Sequence, residues 1–444
     1  MRTPILDFLK DYAHRDPVRM HMPGHKGKGP LGVEHLDLTE VQGADSLYEA
    51  SGIIAESERI AGELFGADTL YSAEGSSLSV RTMVYLTTLY AGERGKHPRI
   101  LAGRNAHKSF ITAVAWTGAE VEWLRSDSAD GYLCCAVTAE AIAAALDGAE
   151  QPVTAVYLTC PDYLGNGVDL SAIAEVCHER GVLLLVDNAH GAYLKFLSPS
   201  LHPMDMGADM CADSAHKTLP VLTGGGYLHI SKNAPEELYD RARDAMSAFG
   251  STSPSYLILA SLDAANAYIA DGYSERLADT VAELNLLKKR LTEQGYSIVG
   301  DEPMKLTLRT PEYGYLGEEL ADILEKGGVS VEFSDREHLV LMPTPSDSEG
   351  ITRLGEILLG TERREPLSAD APRIPEAQRV TSLREALLSP AERVSAEEAV
   401  GRTVARCGLS CPPAVCLLMP GERVTEEFLP VLDFYGVKTV SVIK

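Results

Sequence analysis

The chain has 444 residues, 45% of them hydrophobic and 23% charged, and carries a formal net charge of −24. Such a length supports two or three domains around a large core. The acidity argues against nucleic acid as a partner, since its phosphates would be repelled, and suits a cationic small molecule as readily as it serves solubility.

No apolar run reaches the roughly 18 residues that cross a membrane. The early acid at Asp7 and the lack of a long apolar region behind Met1 do not read as a signal peptide, so a cytoplasmic protein is expected. Eight cysteines in so long a chain do not suggest a disulfide framework. Cys407, Cys411 and Cys416 have no histidine after them, and buried thiols are expected there rather than a metal site.

In chain order, residues 3–12 read as a short amphipathic helix. Residues 20–30, rich in Gly, Pro, His and Lys, read as a loop facing an anion or a neighbouring chain. Residues 55–65 have helical apolar spacing with Gly66 as a stop. The stretch from Tyr71 to Ser77 follows a short strand and opens a helix over 78–90. Gly75 lets backbone approach an anion, Ser76 and Ser77 supply hydroxyls, and the helix start adds partial positive charge. Plain capping by Ser76 or Ser77 is the alternative. Strands are expected at 99–102 and 153–159, each followed by a polar loop, the first of which carries His107.

Leu183, Leu184, Leu185 and Val186 form a continuous apolar run, the pattern of a strand buried on both faces. Asp187 stands at its carboxyl end, where ligands of open α/β sheets bind. A carboxylate there can pair with a protonated pyridine nitrogen, or simply cap a helix. About thirty residues on, the small and apolar run 208–212 leads to Ser214, His216 and Lys217. A lysine just past a buried strand can be desolvated, which frees its amine for Schiff-base chemistry. Serine and histidine beside it can donate to phosphate. Together these residues meet the needs of a pyridoxal 5'-phosphate (PLP) site. The alternation of strand and helix over 67–230 predicts a mostly parallel sheet. No G-x-G-x-x-G follows the first strand, so a nicotinamide site is not expected. Residues 274–294 read as a long charged helix. Beyond it, strands at 304–310 and 329–333 around a helix at 318–326 give a smaller α+β domain, and 362–376 reads as a surface linker.

The motifs carry a resemblance. Met22-Pro23-Gly24-His25-Lys26, the Arg104-Asn105-Ala106-His107-Lys108-Ser109 loop, Asp187-Asn188-Ala189-His190, Ser214-Ala215-His216-Lys217, Thr252-Ser253-Pro254-Ser255-Tyr256 and the closing Ala399-Val400-Gly401-Arg402 with Pro420-Gly421-Glu422 are similar to those of the Orn/Lys/Arg decarboxylase family. The resemblance spans almost the whole chain and implies a short form without the N-terminal wing of the longest members. It implies a fold-type I, aminotransferase-like α/β large domain at 51–280, an arm at 1–50 packing on a partner subunit, and a C-terminal small region at 281–444. It also implies PLP as cofactor and a homodimer or higher homo-oligomer.

By the same resemblance Lys217 holds PLP, Asp187 meets the ring nitrogen and His107 stacks on the ring. Ser76, Ser77, Ser214, His216 and Ala189 bind the cofactor, and Thr252 reaches the phosphate of the other subunit. Glu332 lies on a strand that approaches the mouth of the site, where it meets the distal cation of the substrate or faces solvent, with Asp45 and Glu49 next in line. The activity implied is decarboxylation of arginine, lysine or ornithine. An aminotransferase or lyase, with Arg353 or Arg402 as carboxylate clamp, and a weakly PLP-binding paralogue remain alternatives. Glu74 stands where the family has Asn, Asp162 and Leu164 depart from its P-T-Y-Y-G loop, and Gly224-Gly225-Gly226 replaces a more polar segment.

Overall fold

The computed structural model describes residues 1–124, 131–345, 347–368, 371–407 and 414–444. Seven short strands form the main sheet: β1 Asp68–Ser72, β2 Arg99–Gly103, β3 Glu120–Leu124, β4 Ala155–Thr159, β5 Leu183–Asp187, β6 Met210–Asp213 and β7 Gly226–Ile230. Their spatial order is β1-β7-β6-β5-β4-β2-β3. β4, β5 and β6 pair in parallel, and β7 is antiparallel to both of its neighbours. β1 therefore runs the same way as β4, β5 and β6, and the carboxyl ends of all four lie along one edge. β5 is buried at every position, which is why its sequence shows a continuous apolar run rather than alternation.

The chain divides into two compact units. The first comprises 1–100, 143–160 and 169–274. Its first helix, Pro4–Arg15, is longer than the expected 3–12 and is tied into its own unit. Ile5 and Leu9 are fully buried, and the Asp263 carboxylate accepts from the Ile5 and Leu6 amides at 3.0 and 2.9 Å. Helix Ile53–Phe65 ends on Gly66 at φ +71°, a left-handed cap that suits glycine. The Asp45 carboxylate accepts from the amides of Ser46, Ser51, Gly52, Ile54 and Ala55, and so anchors the start of that helix. The Asp45 carboxylate is thus engaged with backbone amides, whereas Glu49 is exposed.

The second unit comprises 101–142, 161–168 and 275–444. Strands β8 Ser297–Val299, β9 Leu306–Arg309, β10 Phe333–Ser334 and β11 His338–Leu341 make an antiparallel sheet in the order β10-β11-β9-β8. Its core includes Leu284, Leu291, Leu306, Leu308, Leu320, Leu339 and Leu354. The expected strand at 329–333 is reduced to β10. Only Phe333 and Ser334 are in register with β11, ahead of the turn closed by Asp335 N to His338 O. Strands β12 Ala391–Ser395 and β13 Thr439–Ile443 pair over a second apolar cluster that includes Val404, Val424, Phe428 and Val442. Described parts of 362–376 have no regular structure. The seven described cysteines are free thiols, six of them buried; Cys411 lies outside the described residues. No helix among the described residues is long and apolar enough to cross a membrane.

Candidate active site

Within the first unit, the carboxyl ends of β1, β5 and β6 and the start of β7 converge, the position where open α/β sheets bind ligands. Asp187 is the last residue of β5 and is 2% exposed. The Tyr157 hydroxyl, from β4, donates to its Oδ2 at 2.9 Å. Its Oδ1 is buried without a hydrogen-bond partner among the described residues. Burial raises the pKa of this carboxyl, against the Tyr157 hydrogen bond and the charge of Lys217. A buried carboxylate with one oxygen held and the other unmet calls for a cationic N–H. The helix-cap reading of Asp187 does not hold, since the residue ends a strand and leads into a turn.

That turn, with Asn188 and Ala189, is closed by the Gly191 amide donating to Asn188 O at 2.8 Å. The Asn188 amide group donates to Asp213 Oδ1 at 2.8 Å, and so links the ends of β5 and β6. Asp213 Oδ2 also meets His202 Nε2 at 3.0 Å and His229 Nε2 at 3.2 Å, all three residues being fully buried. Burial alone would raise the Asp213 pKa, but the two imidazoles reverse the sign and hold it far below the usual range.

Ser214 follows β6, and Lys217 lies on the one-turn helix Ala215–Thr218. In the single chain Lys217 is exposed, so burial does not supply the desolvation expected of it. Its amine instead lies 3.0 Å from His190 Nε2. Beside it, the Ser214 hydroxyl donates to Ser76 Oγ at 2.7 Å, joining the two serine-bearing segments. His216 Nδ1 donates to Gly225 O at 2.9 Å, and burial lowers the pKa of the imidazole.

Ser76 and Ser77 lie inside helix Gly75–Glu93, which is longer than the expected 78–90. The helix has no side-chain cap, so capping by these serines is excluded, and a helix start of this kind favours an anion beyond its Gly75 amide. Glu74 does not crowd them: its carboxylate accepts from the Ser251 amide at 2.6 Å. The three glycines serve close approach. Gly224 has φ +97° and its carbonyl accepts from the Gly75 amide at 2.6 Å. A Cβ at Gly226 would lie 2.8 Å from Asp213 O and 2.9 Å from Gly75 C, so a side chain there would push the two segments apart. Thr252 stands exposed before helix Tyr256–Ala270, whose N-cap Ser255 makes no side-chain cap.

His107 and Glu332 belong to the second unit. His107 caps helix Lys108–Thr117, its Nδ1 accepting from the Ser109 amide at 3.2 Å. Its loop is pinned by Arg104, which donates to both oxygens of Glu422 at 2.7 Å, and by Lys108 N to Ala414 O at 3.0 Å. Glu332 sits in a bend just before β10, not on a strand. It is exposed, and its carboxylate accepts from the Tyr163 hydroxyl at 2.9 Å. Asp162 spends its carboxylate on the Leu164 and Asn166 amides, and Leu164 is fully buried, so these two departures are structural. Tyr157, Tyr163 and His190 were not among the expected site residues. His190 could have been found, because it completes the Asp-x-Ala-His motif; the tyrosines lie in ordinary strand and loop sequence.

A mostly parallel sheet with a carboxylate, a lysine and an uncapped helix start along one edge has the aminotransferase-like fold of fold-type I PLP-dependent enzymes. The chain belongs to the Orn/Lys/Arg decarboxylase family: residues 3–299 match the major domain of that family and 372–440 its C-terminal domain. It is 32% identical to an arginine decarboxylase of Halalkalibacterium halodurans, over 96% of this chain and 92% of that one. It is 31% identical to an arginine decarboxylase of Bacillus subtilis with the same coverage. The lysine decarboxylase of Francisella novicida superposes with a TM-score of 0.81 at 18% identity, covering 100% of this chain and 81% of that one.

Proposed function

We propose that the protein is a PLP-dependent decarboxylase of a basic amino acid, with arginine the first substrate to test because relatives similar over nearly their whole length carry that name. The observation that carries the cofactor assignment is Asp187: a buried carboxylate with one oxygen unmet, on the strand beside the one that leads to Lys217. The donor set fits PLP. Asp187 Oδ1 suits the protonated ring nitrogen and the Lys217 amine suits the aldehyde. Ser76, Ser77, Ser214 and His216 at an uncapped helix start suit the phosphate, and Ala189 lies in the turn beside the ring-nitrogen site. When bound, PLP supplies a carbonyl for amine capture and a ring able to delocalise the electron pair left by loss of CO2.

The residues of the chain supply the rest. Asp187 holds a proton at the ring-nitrogen position, and Tyr157 fixes the carboxylate that does so. Lys217 would hold the cofactor through its amine, and that amine can also move a proton. His107 and Glu332 are assigned by the motifs they lie in, as ring cover and as partner of the distal cation. Thr252, exposed on its own chain, is assigned to the phosphate of a second subunit. Of the arginines considered for an aminotransferase clamp, Arg353 donates to Gly327 O at 2.9 Å, and Arg402 pairs with Glu392 at 2.6 Å and Ile443 O at 2.8 Å. Both are thus engaged in local structure.

The test is release of CO2 from arginine, lysine and ornithine in turn, with the amine product identified, using Lys217→Ala as control. Amine from one of the three, absent with the variant, is expected. Transfer of the amino group to a keto acid without CO2 would reject the reading.

A further inference from the structure

We propose that His190 is a catalytic residue that exchanges a proton with the Lys217 amine, so that the pair, rather than the lysine alone, sets the protonation state of the nucleophile. The proposal rests on the decarboxylase reading above and deepens it.

His190 Nε2 lies 3.0 Å from Lys217 Nζ. The imidazole is 5% exposed, whereas Lys217 is on the exposed side. The two residues sit on separate turns, 187–191 and 214–217, and the structure ties those turns together. Asn188 donates to Asp213, which immediately precedes Ser214, and both residues are fully buried. Gly191 closes the first turn, and a Cβ there would fall 1.9 Å from Asn188 Oδ1. The His190–Lys217 approach is therefore backed by a buried side-chain bond that holds the two turns together.

An amine must be unprotonated to act as a nucleophile and protonated to deliver a proton. In the first role a proton passes from Nζ to Nε2 and leaves the amine its electron pair. In the second it returns from Nε2 to Nζ. No electron moves and no co-reactant is needed. Asp187 and His216 are also coupled electrostatically to Lys217, and both are kept intact in the test.

Reactivity of the Lys217 amine is measured in cofactor-free protein by competitive acetylation with acetic anhydride across pH, read by mass spectrometry. Wild type is compared with His190→Leu and His190→Gln. When unprotonated, the His190 imidazole accepts from the ammonium form and favours it. His190→Leu is therefore expected to shift the Lys217 titration to lower pH and to raise its labelling several-fold near neutrality. His190→Gln keeps an acceptor but carries no proton. It is expected to leave the labelling profile near wild type while the loaded enzyme loses most of its kcat and one limb of its pH–rate profile. A Lys217 titration unmoved by His190→Leu, or a His190→Gln enzyme with wild-type kcat, would overturn the proposal. Failure of wild type to release CO2 from any of the three amino acids would instead reject the decarboxylase reading, because the labelling result needs neither cofactor nor substrate.

Discussion

The Tyr157 hydroxyl donates to Asp187 Oδ2 at 2.9 Å across the parallel pair β4–β5, and leaves Oδ1 as the free face of a buried carboxylate. This bond fixes the plane of the carboxyl group and works against the burial that raises its pKa. Tyr157→Phe keeps the packing and removes the donor. Hydrogen bonds to charged groups contribute about 1.5–3 kcal/mol, so affinity for PLP is expected to fall roughly ten-fold or more in a fluorescence titration. Unchanged affinity would separate Tyr157 from the cofactor site.

Asp187→Asn keeps the shape of the group but cannot hold the ring-nitrogen proton. Turnover is expected to fall by several orders of magnitude, on the scale of a few kcal/mol of lost transition-state stabilisation, while PLP still binds. Near-normal kcat in steady-state assays would remove Asp187 from that role.

Asp263 predicts a pH dependence. Burial raises its carboxyl pKa from 3.8 to about 6, although the Leu6 and Ile5 amides and the Ser57 hydroxyl donate to it. A raised pKa means that the folded state holds the proton more tightly than the unfolded state. The stabilisation is thus complete below about pH 4 and is lost as pH rises through about 6, a loss of about 3 kcal/mol for two units. Hydrogen exchange at the amides of helix Pro4–Arg15 is expected to report greater opening at pH 7.5 than at pH 5, beyond the intrinsic rate change. Asp263→Asn is expected to flatten that difference, and a variant with the wild-type pH profile would contradict the assignment.

Glu332→Gln is expected to raise KM for the cationic substrate by roughly ten-fold, about 1.4 kcal/mol, with PLP absorbance unchanged. Tyr163→Phe, which removes the donor that orients Glu332, is expected to move KM in the same direction by less. An unaltered KM for Glu332→Gln would place the partner of the distal cation elsewhere.

The sequence by itself determined the strand ends and what stands on them. The apolar run Leu183–Val186 has the pattern of a doubly buried strand, which puts Asp187 at its carboxyl end. Gly75 before a long apolar helix, and Lys217 after the β6 run, were placed by the same local patterns. Side-chain partnership was decided by the tertiary structure, because it depends on strand order and register that no local pattern encodes. Tyr157 meets Asp187 because β4 and β5 are parallel neighbours whose ends align at Thr159 and Asp187. Lys217 finds His190 and not a desolvating pocket within its own chain because the Asn188–Asp213 bond joins two turns. Asp45 reads as a free acid on an arm until five backbone amides claim it. Alternation around Glu332 reads as a strand, but the register with β11 takes in only Phe333 and Ser334. Periodicity reports which face of the chain is buried; which atoms meet there is fixed only when elements distant in sequence pack against one another.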